Sequence, residues 1–216
     1  MSPIIACIFD LDGVIVDTAV YHYKAWRRLA NQLGFDFTLE QNEELKGISR
    51  IDSLKKILSW GALNKSESEM QSLATLKNTW YVEMITKMTP DEILPGAKEF
   101  LELVRAKGYL TALGSASKNS TTILNQIGLI HLFDVIVDGN KVTKSKPDPE
   151  VFLAGALALN VKPEECVVFE DAIAGIQAAK TGKMRSVGIG EADVLKDADI
   201  VVEGLFEMTI EKLENL

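Results

Sequence analysis

Ile4-Ile5-Ala6-Cys7-Ile8-Phe9-Asp10-Leu11-Asp12-Gly13 is the stretch whose reading decides the fold: six apolar residues that stop on two carboxylates and a glycine. A continuous apolar run of this length, without polar alternation, suits a strand buried on both faces, as in a parallel sheet. Five later runs share the character: Tyr109–Leu113, Val135–Val137, Cys166–Phe169, Ser186–Ile189 and Ile200–Val202. Helical signals fill the segments between them. Pro95–Lys107 opens with Pro and Gly, and Gly108 stands just past its end. Ser117–Ile127 opens on polar residues and closes at Gly128, and Pro149–Leu159 and Ala172–Lys180 follow the same plan. Strands and helices alternating across short links predict an α/β fold with a doubly wound parallel sheet.

One interval breaks the alternation. Between about residues 17 and 89 no buried strand is legible, and apolar residues recur at helical spacing instead. Trp26, Leu29, Ala30 and Leu33 share one face, Leu54, Ile57 and Leu58 another, and Leu73, Leu76, Trp80 and Met84 a third. The reading is an all-helical cap domain, residues 17–89, inserted into a core of residues 1–16 and 90–216. Val14–Thr18 and Thr86–Pro95 are its expected hinges. The charge divides along the same line: residues 18–89 hold 10 Lys+Arg and 8 Asp+Glu, the rest 13 and 23. An excess of cations on a lid is what a phosphorylated substrate favours.

Composition narrows the function classes. With 216 residues, 47% hydrophobic and 25% charged, the chain is an ordinary globular one. Its net charge of −8 argues against a nucleic-acid partner, which calls for a basic field. The N-terminal apolar run is too short for a signal-peptide core or a membrane span. Cys7 and Cys166 both sit inside apolar runs and read as buried free thiols. The expectation is a soluble cytoplasmic monomer with no membrane partner.

The chemistry-bearing residues fall at strand ends, where ligands bind in open α/β sheets. Asp10 and Asp12 lie two apart, so both point the same way if the extended conformation persists. Such close like charges are costly unless a cation or a shared proton separates them. The second apolar run stops at Gly114-Ser115, and the third is followed by Lys144-Ser145-Lys146-Pro147, whose Lys146-Pro147 bond is a place for a cis peptide. The fourth run ends in Glu170-Asp171, a second acidic pair whose hard oxygen donors suit Mg²⁺.

Asp-x-Asp, Ser, Lys and Glu-Asp at four successive strand ends resemble the haloacid-dehalogenase-type phosphotransferases, in family order along the whole chain. Residues 17–89 resemble the helical cap of one branch. The resemblance implies that Asp10 is a nucleophile forming an aspartyl-phosphate and that Asp12 is a general acid/base. Ser115 and Lys146 would hold the transferring phosphoryl group. It also implies one Mg²⁺ per chain on Asp10, the Asp12 backbone carbonyl, Glu170 and Asp171. Dehalogenases proper lack the second aspartate and the metal, so the residues here disfavour dehalogenation.

Cap residues decide substrates in this family. Thr18 in the first hinge, His22 and Trp26 on the first cap helix, Lys46-Gly47-Ile48-Ser49-Arg50 in a turn, Lys77-Asn78 on the last cap helix and Ala116-Ser117-Lys118-Asn119 in the core together resemble its sugar-phosphate mutase branch. The physical reading concurs. A sugar bisphosphate needs two phosphate subsites, and Arg50 with Ser117, Lys118 and Asn119 at a helix N-terminus would make the second. The alternative for Ser117 and Asn119, given less weight, is plain helix capping with no ligand. His22 could donate to Asp12 or to substrate, or be a surface imidazole, and Trp26 fits cap packing better than sugar stacking. Outside the resemblance, Lys46 and Lys77 read as solvated helix charges.

The expected reaction interconverts β-D-glucose 1-phosphate and D-glucose 6-phosphate, with glucose 1,6-bisphosphate as primer and intermediate. The alternative is a capped phosphatase of sugar phosphates or phosphoglycolate using the same Asp10.

Overall fold

A computed structural model describes residues 2–216. Six strands, β1 (Ala6–Phe9), β2 (Leu110–Gly114), β3 (Val135–Val137), β4 (Cys166–Glu170), β5 (Arg185–Ile189) and β6 (Ile200–Val202), form one sheet. Their order is β3-β2-β1-β4-β5-β6, and every neighbouring pair is parallel. The strands lie at the apolar runs of the sequence, to within two residues at each end. β1 is central because all four of its side chains are buried, which only an inner strand covered on both faces allows.

Period-two alternation sorts β1 between two cores. Ala6 and Ile8 point to the face covered by α7 (Glu150–Ala158) and α8 (Ile173–Thr181), beside Phe152, Ala178 and Val168. Cys7 and Phe9 point to the other face, under α5 (Ala97–Ala106) and α6 (Ser120–Gln126). There Phe9 stacks on Phe169 at 4.6 Å between centroids, and Phe100 meets both rings edge-on. A short α9 (Ile210–Glu214) ends the chain.

Between β1 and α5 lie four α-helices, α1 (Ala19–Gln32), α2 (Leu39–Glu43), α3 (Arg50–Trp60) and α4 (Glu67–Ile85). They make the all-helical cap. The segments entering and leaving it pair with each other: Val16 bridges Ile93, and the Leu94 N–H donates to the Ile15 carbonyl at 2.9 Å. Through Val14, Ile15 and Val16, one buried apolar cluster runs continuously from the sheet into the cap at Ile85 and Met88.

Two local expectations need correction. The buried face of α4 is Ala74, Lys77, Trp80, Tyr81 and Ile85, while Leu76, expected inside, is 40% exposed. The apolar spacing gives way because the cavity-facing side of this helix carries polar groups. α6 begins at Ser120 rather than Ser117, since residues 115–119 are tied into turns: the Ser117 N–H donates to Ser115 Oγ and the Asn119 N–H to Ser117 Oγ. α2 had no legible apolar period; a reciprocal cap between Thr38 and Gln41 starts it. Both cysteines are buried and free, and the Lys146–Pro147 peptide is cis. Among the described residues no helix is long and apolar enough to cross a membrane.

Candidate active site

The sheet order reverses at β1, so a crevice opens over the carboxyl ends of β1, β2 and β4. Asp10 follows β1 directly, its N–H continuing the ladder to the Phe169 carbonyl at 3.0 Å. Gly13 then turns the chain with a φ of +79°, and a side chain there would lie 2.1 Å from Asp171 Oδ2. The glycine thus serves both the turn and the close approach of two acidic loops.

Lys146 is the hub. Its ammonium is 2.5 Å from Asp10 Oδ1 and 2.8 Å from Glu170 Oε1, with all three groups buried. The face of Phe152 closes the site at 4.7 Å from Nζ. Glu170 is fixed further by the N–H groups of Asp171 and Ala172, which donate to its Oε2 at 2.7 and 3.2 Å.

The acids are strained as a group. Burial, with Glu170 and Asp12 nearby, pushes the Asp10 carboxyl up against the pull of Lys146. Burial also raises Asp12, opposed by the Thr18 hydroxyl that donates to it. Asp171 is pushed well up by burial and by the charges of Glu170 and Asp10. Carboxylate oxygens of Asp10, Glu170 and Asp171 lie within 4.8 Å of one another. Three hard donors crowded at a cost that a divalent cation would remove are a donor set that fits Mg²⁺.

Across the crevice the cap contributes cations. Arg50, the first residue of α3, faces the cavity half-buried, its guanidinium acidified by that burial. Lys77 is fully buried, with Nζ 2.8 Å from His22 Nδ1 and over the rings of Trp26 and Tyr81 at 4.4 and 4.6 Å. Burial, then the Arg50 charge, pulls the Lys77 ammonium down, and burial followed by Lys77 and Arg50 does the same to His22. Lys46 reaches Glu43 at 2.9 Å and Asp171 at 3.5 Å.

Of the residues singled out in the sequence, one cavity between cap and core gathers Asp10, Asp12, Ser115, Ala116, Ser117, Lys118, Asn119 and Asp171 with His22, Trp26, Lys46, Gly47, Arg50 and Lys77. Lys146, Glu170 and Thr18 stand directly behind the two aspartates. His22 is bonded to Lys77, not to Asp12, whose partner is Thr18. The Ser49 side chain is turned to its own helix, accepting from the Asp52 N–H. Asn119 caps nothing with its side chain, which donates to Asn78 Oδ1 at 3.0 Å.

Asn78, singled out with Lys77, lines the cavity as well; Asn42 and Ser53 also line it and were not anticipated. Asn42 and Ser53 are buried polar residues on cap helices, a departure from amphipathic pattern that was available as a signal. Tyr81 has a buried hydroxyl with no hydrogen-bond partner and was hidden within an apolar helix face.

Comparison with known proteins covers nearly the whole chain. A beta-phosphoglucomutase of Bacillus subtilis is 42% identical over 96% of this chain and 93% of its own length. A phosphorylated carbohydrates phosphatase of Thermotoga maritima is 33% identical over 92% of this chain and 90% of its own. The crystal structure of a beta-phosphoglucomutase from Clostridium difficile superposes with a TM-score of 0.95 at 45% identity, covering 98% of this chain and 96% of that one. The family model described as haloacid dehalogenase-like hydrolase matches residues 7–189. Because that match runs from β1 through the cap to β5, the chain belongs to the haloacid dehalogenase-like hydrolase family.

Proposed function

We propose that this protein is a β-phosphoglucomutase, interconverting β-D-glucose 1-phosphate and D-glucose 6-phosphate through an aspartyl-phosphate and glucose 1,6-bisphosphate. What supports the reading is a single cavity lined by two sets of groups suited to phosphate. Asp10 and Ser115, with Lys146 adjoining Asp10, would serve the transferring phosphate as the first set; Arg50, Ser117, Lys118 and Asn119 would serve the other phosphate as the second. A monophosphate needs only the first. A bisphosphate that must be held in either orientation needs both.

In this reading an Asp10 oxygen attacks phosphorus in line and the bond to the sugar oxygen breaks. Asp12, whose carboxyl burial raises, gives its proton to that leaving oxygen. In the reverse transfer Asp12 takes the proton of the attacking sugar hydroxyl as the phosphoryl group leaves Asp10. Lys146 and Ser115 hold the equatorial oxygens, so catalysis is largely positioning and charge stabilisation. A magnesium ion held by Asp10, Glu170, Asp171 and the Asp12 carbonyl would supply further positive charge to the transferring group. Thr18 orients Asp12 from the hinge, tying its geometry to the seating of the cap. The cap also keeps water from the phosphoenzyme, so that a sugar hydroxyl is the acceptor.

The test is an anomer-specific assay with Mg²⁺ and a bisphosphate primer. Conversion of the β but not the α anomer to glucose 6-phosphate supports the assignment. Release of inorganic phosphate from the same substrates without isomerisation overturns it and leaves a phosphatase.

A further inference from the structure

We infer that Asp52 is a positioning residue that couples the segments carrying Arg50 and Lys146, one from each phosphate-holding set, an inference resting on the two-subsite reading above. Away from the linkers, three polar side-chain contacts cross between cap helices or loops and the core among the described residues. Lys46 meets Asp171 and Asn78 meets Asn119, both at the cavity itself. The third is set back from it: Ser145 Oγ donates to Asp52 Oδ2 at 3.3 Å, across 93 positions of sequence.

The same oxygen also accepts from Ser49 Oγ at 2.6 Å. One carboxylate oxygen therefore joins two hydroxyls, and each hydroxyl immediately precedes a phosphate-holding cation. Ser49 is followed by Arg50 on α3; Ser145 is followed by Lys146 in the loop after β3. The Asp52 N–H donates back to Ser49 Oγ at 3.2 Å, which fixes the first turn of α3 around the bridge. The Ser49 hydroxyl, its nearest partner, keeps the Asp52 carboxyl below the usual range, so the acceptor is ionised at neutral pH.

Asp52 does not line the cavity and touches no substrate. Its effect is on register. With the bridge made, Arg50 on the cap and Lys146 on the core sit at a fixed spacing, the one a bisphosphate must match at both ends. An acid in the first turn of a helix is favourable for the helix by itself. That simpler role requires nothing of Ser145, and the contact to Ser145 separates the two readings.

The experiment compares wild type with Asp52→Ala, Asp52→Asn, Ser145→Ala and the Asp52→Ala/Ser145→Ala double variant. Mutase kcat and KM for β-glucose 1-phosphate are measured with Mg²⁺ and bisphosphate, together with hydrolysis of the phosphoenzyme. Hydrogen exchange of segments 49–53 and 143–147 is followed with and without inorganic phosphate. Ser145→Ala and Asp52→Ala should each lower kcat about tenfold with little change in KM, and shift the phosphoenzyme from transfer toward hydrolysis. The double variant should fall no further than the Asp52 single. Asp52→Asn, which keeps an acceptor oxygen, should recover most of the loss. In wild type, phosphate should slow exchange in both segments together, and in Ser145→Ala the two responses should separate. A silent Ser145→Ala, or losses that simply add, overturns the inference. If wild type shows no mutase turnover, the functional reading fails instead, and the exchange experiment still decides whether Asp52 couples the segments.

Discussion

At the scale of single residues, the site depends on atoms that are absent as much as on those present. A β-carbon at Gly175, on α8, would fall 1.7 Å from Glu170 Oε1, the oxygen that holds Lys146. Gly175→Ala is therefore expected to push the Glu170 carboxylate off Lys146, lowering activity tenfold or more, roughly, and lowering the thermal midpoint as a buried ion pair loses its geometry. Activity within twofold of wild type, roughly, would contradict the geometry. Asp10→Asn removes the charged oxygen proposed to attack phosphorus, so turnover should fall by more than about 10³-fold. Radiolabelled phosphoenzyme should vanish with it. Residues of this kind were legible because they break an apolar run at its end: Asp10, Ser115 and Glu170 each follow a buried strand segment directly or close it. Tyr81 was not legible, since it lies within a helix face that shows no comparable break, and Asn78 was legible only through the family resemblance.

At the scale of elements, α4 shows both what a pattern reveals and what overrides it. Its start is written locally: Ser66 and Glu69 form a reciprocal cap, with Ser66 N–H donating to Glu69 Oε2 at 2.9 Å. Those bonds, the backbone one first, hold the Glu69 carboxyl down to about 2, from an ordinary 4.5. A depressed carboxyl stabilises the folded form above its ordinary value, and that contribution is lost as pH falls toward the folded one. The first turn of α4 should thus fray between about pH 4.5 and 2, and Glu69 should titrate near the lower end by NMR. A titration midpoint near 4.5 would show the cap is not made in solution. The buried face of α4 followed a different logic. Apolar spacing selected Leu73, Leu76, Trp80 and Met84, yet the cavity draws Lys77 inside and leaves Leu76 out. Rings of Trp26 and Tyr81 supply the face that lets an ammonium be buried there. Periodicity reports the demand of a core; it is silent about the demand of a ligand.

At the scale of the whole molecule, sheet and cap share one continuous apolar cluster, so they should unfold together. The three tryptophans, Trp26, Trp60 and Trp80, all lie in the cap. Fluorescence therefore watches the cap alone, while far-ultraviolet circular dichroism watches the entire chain. Coincident thermal transitions by the two probes are expected, and an earlier fluorescence transition would show a cap that melts independently. Leu54, fully buried in the cap, should cost about 2–5 kcal/mol on substitution by Ala, seen as a lowered midpoint in both signals. The insertion was readable from the sequence because alternation of strands and helices stops and resumes. The seating of cap on core was not, because it depends on contacts such as Ser145 with Asp52 that no local pattern encodes.

The central position of β1 has a consequence for how the protein is made. β1 leaves the ribosome first, yet its partners are β2, at Leu110–Gly114, and β4, at Cys166–Glu170. Throughout synthesis of the cap, an apolar segment with both edges open waits for strands that do not yet exist. Its second edge is covered only once Glu170, about four-fifths of the way along the 216 residues, has emerged. Contacts this distant in sequence fold slowly, and an unpaired apolar strand is a site for pairing between chains. Nascent chains halted before β4 should therefore aggregate through the segment that ends in Asp10, where the finished enzyme would carry its phosphate.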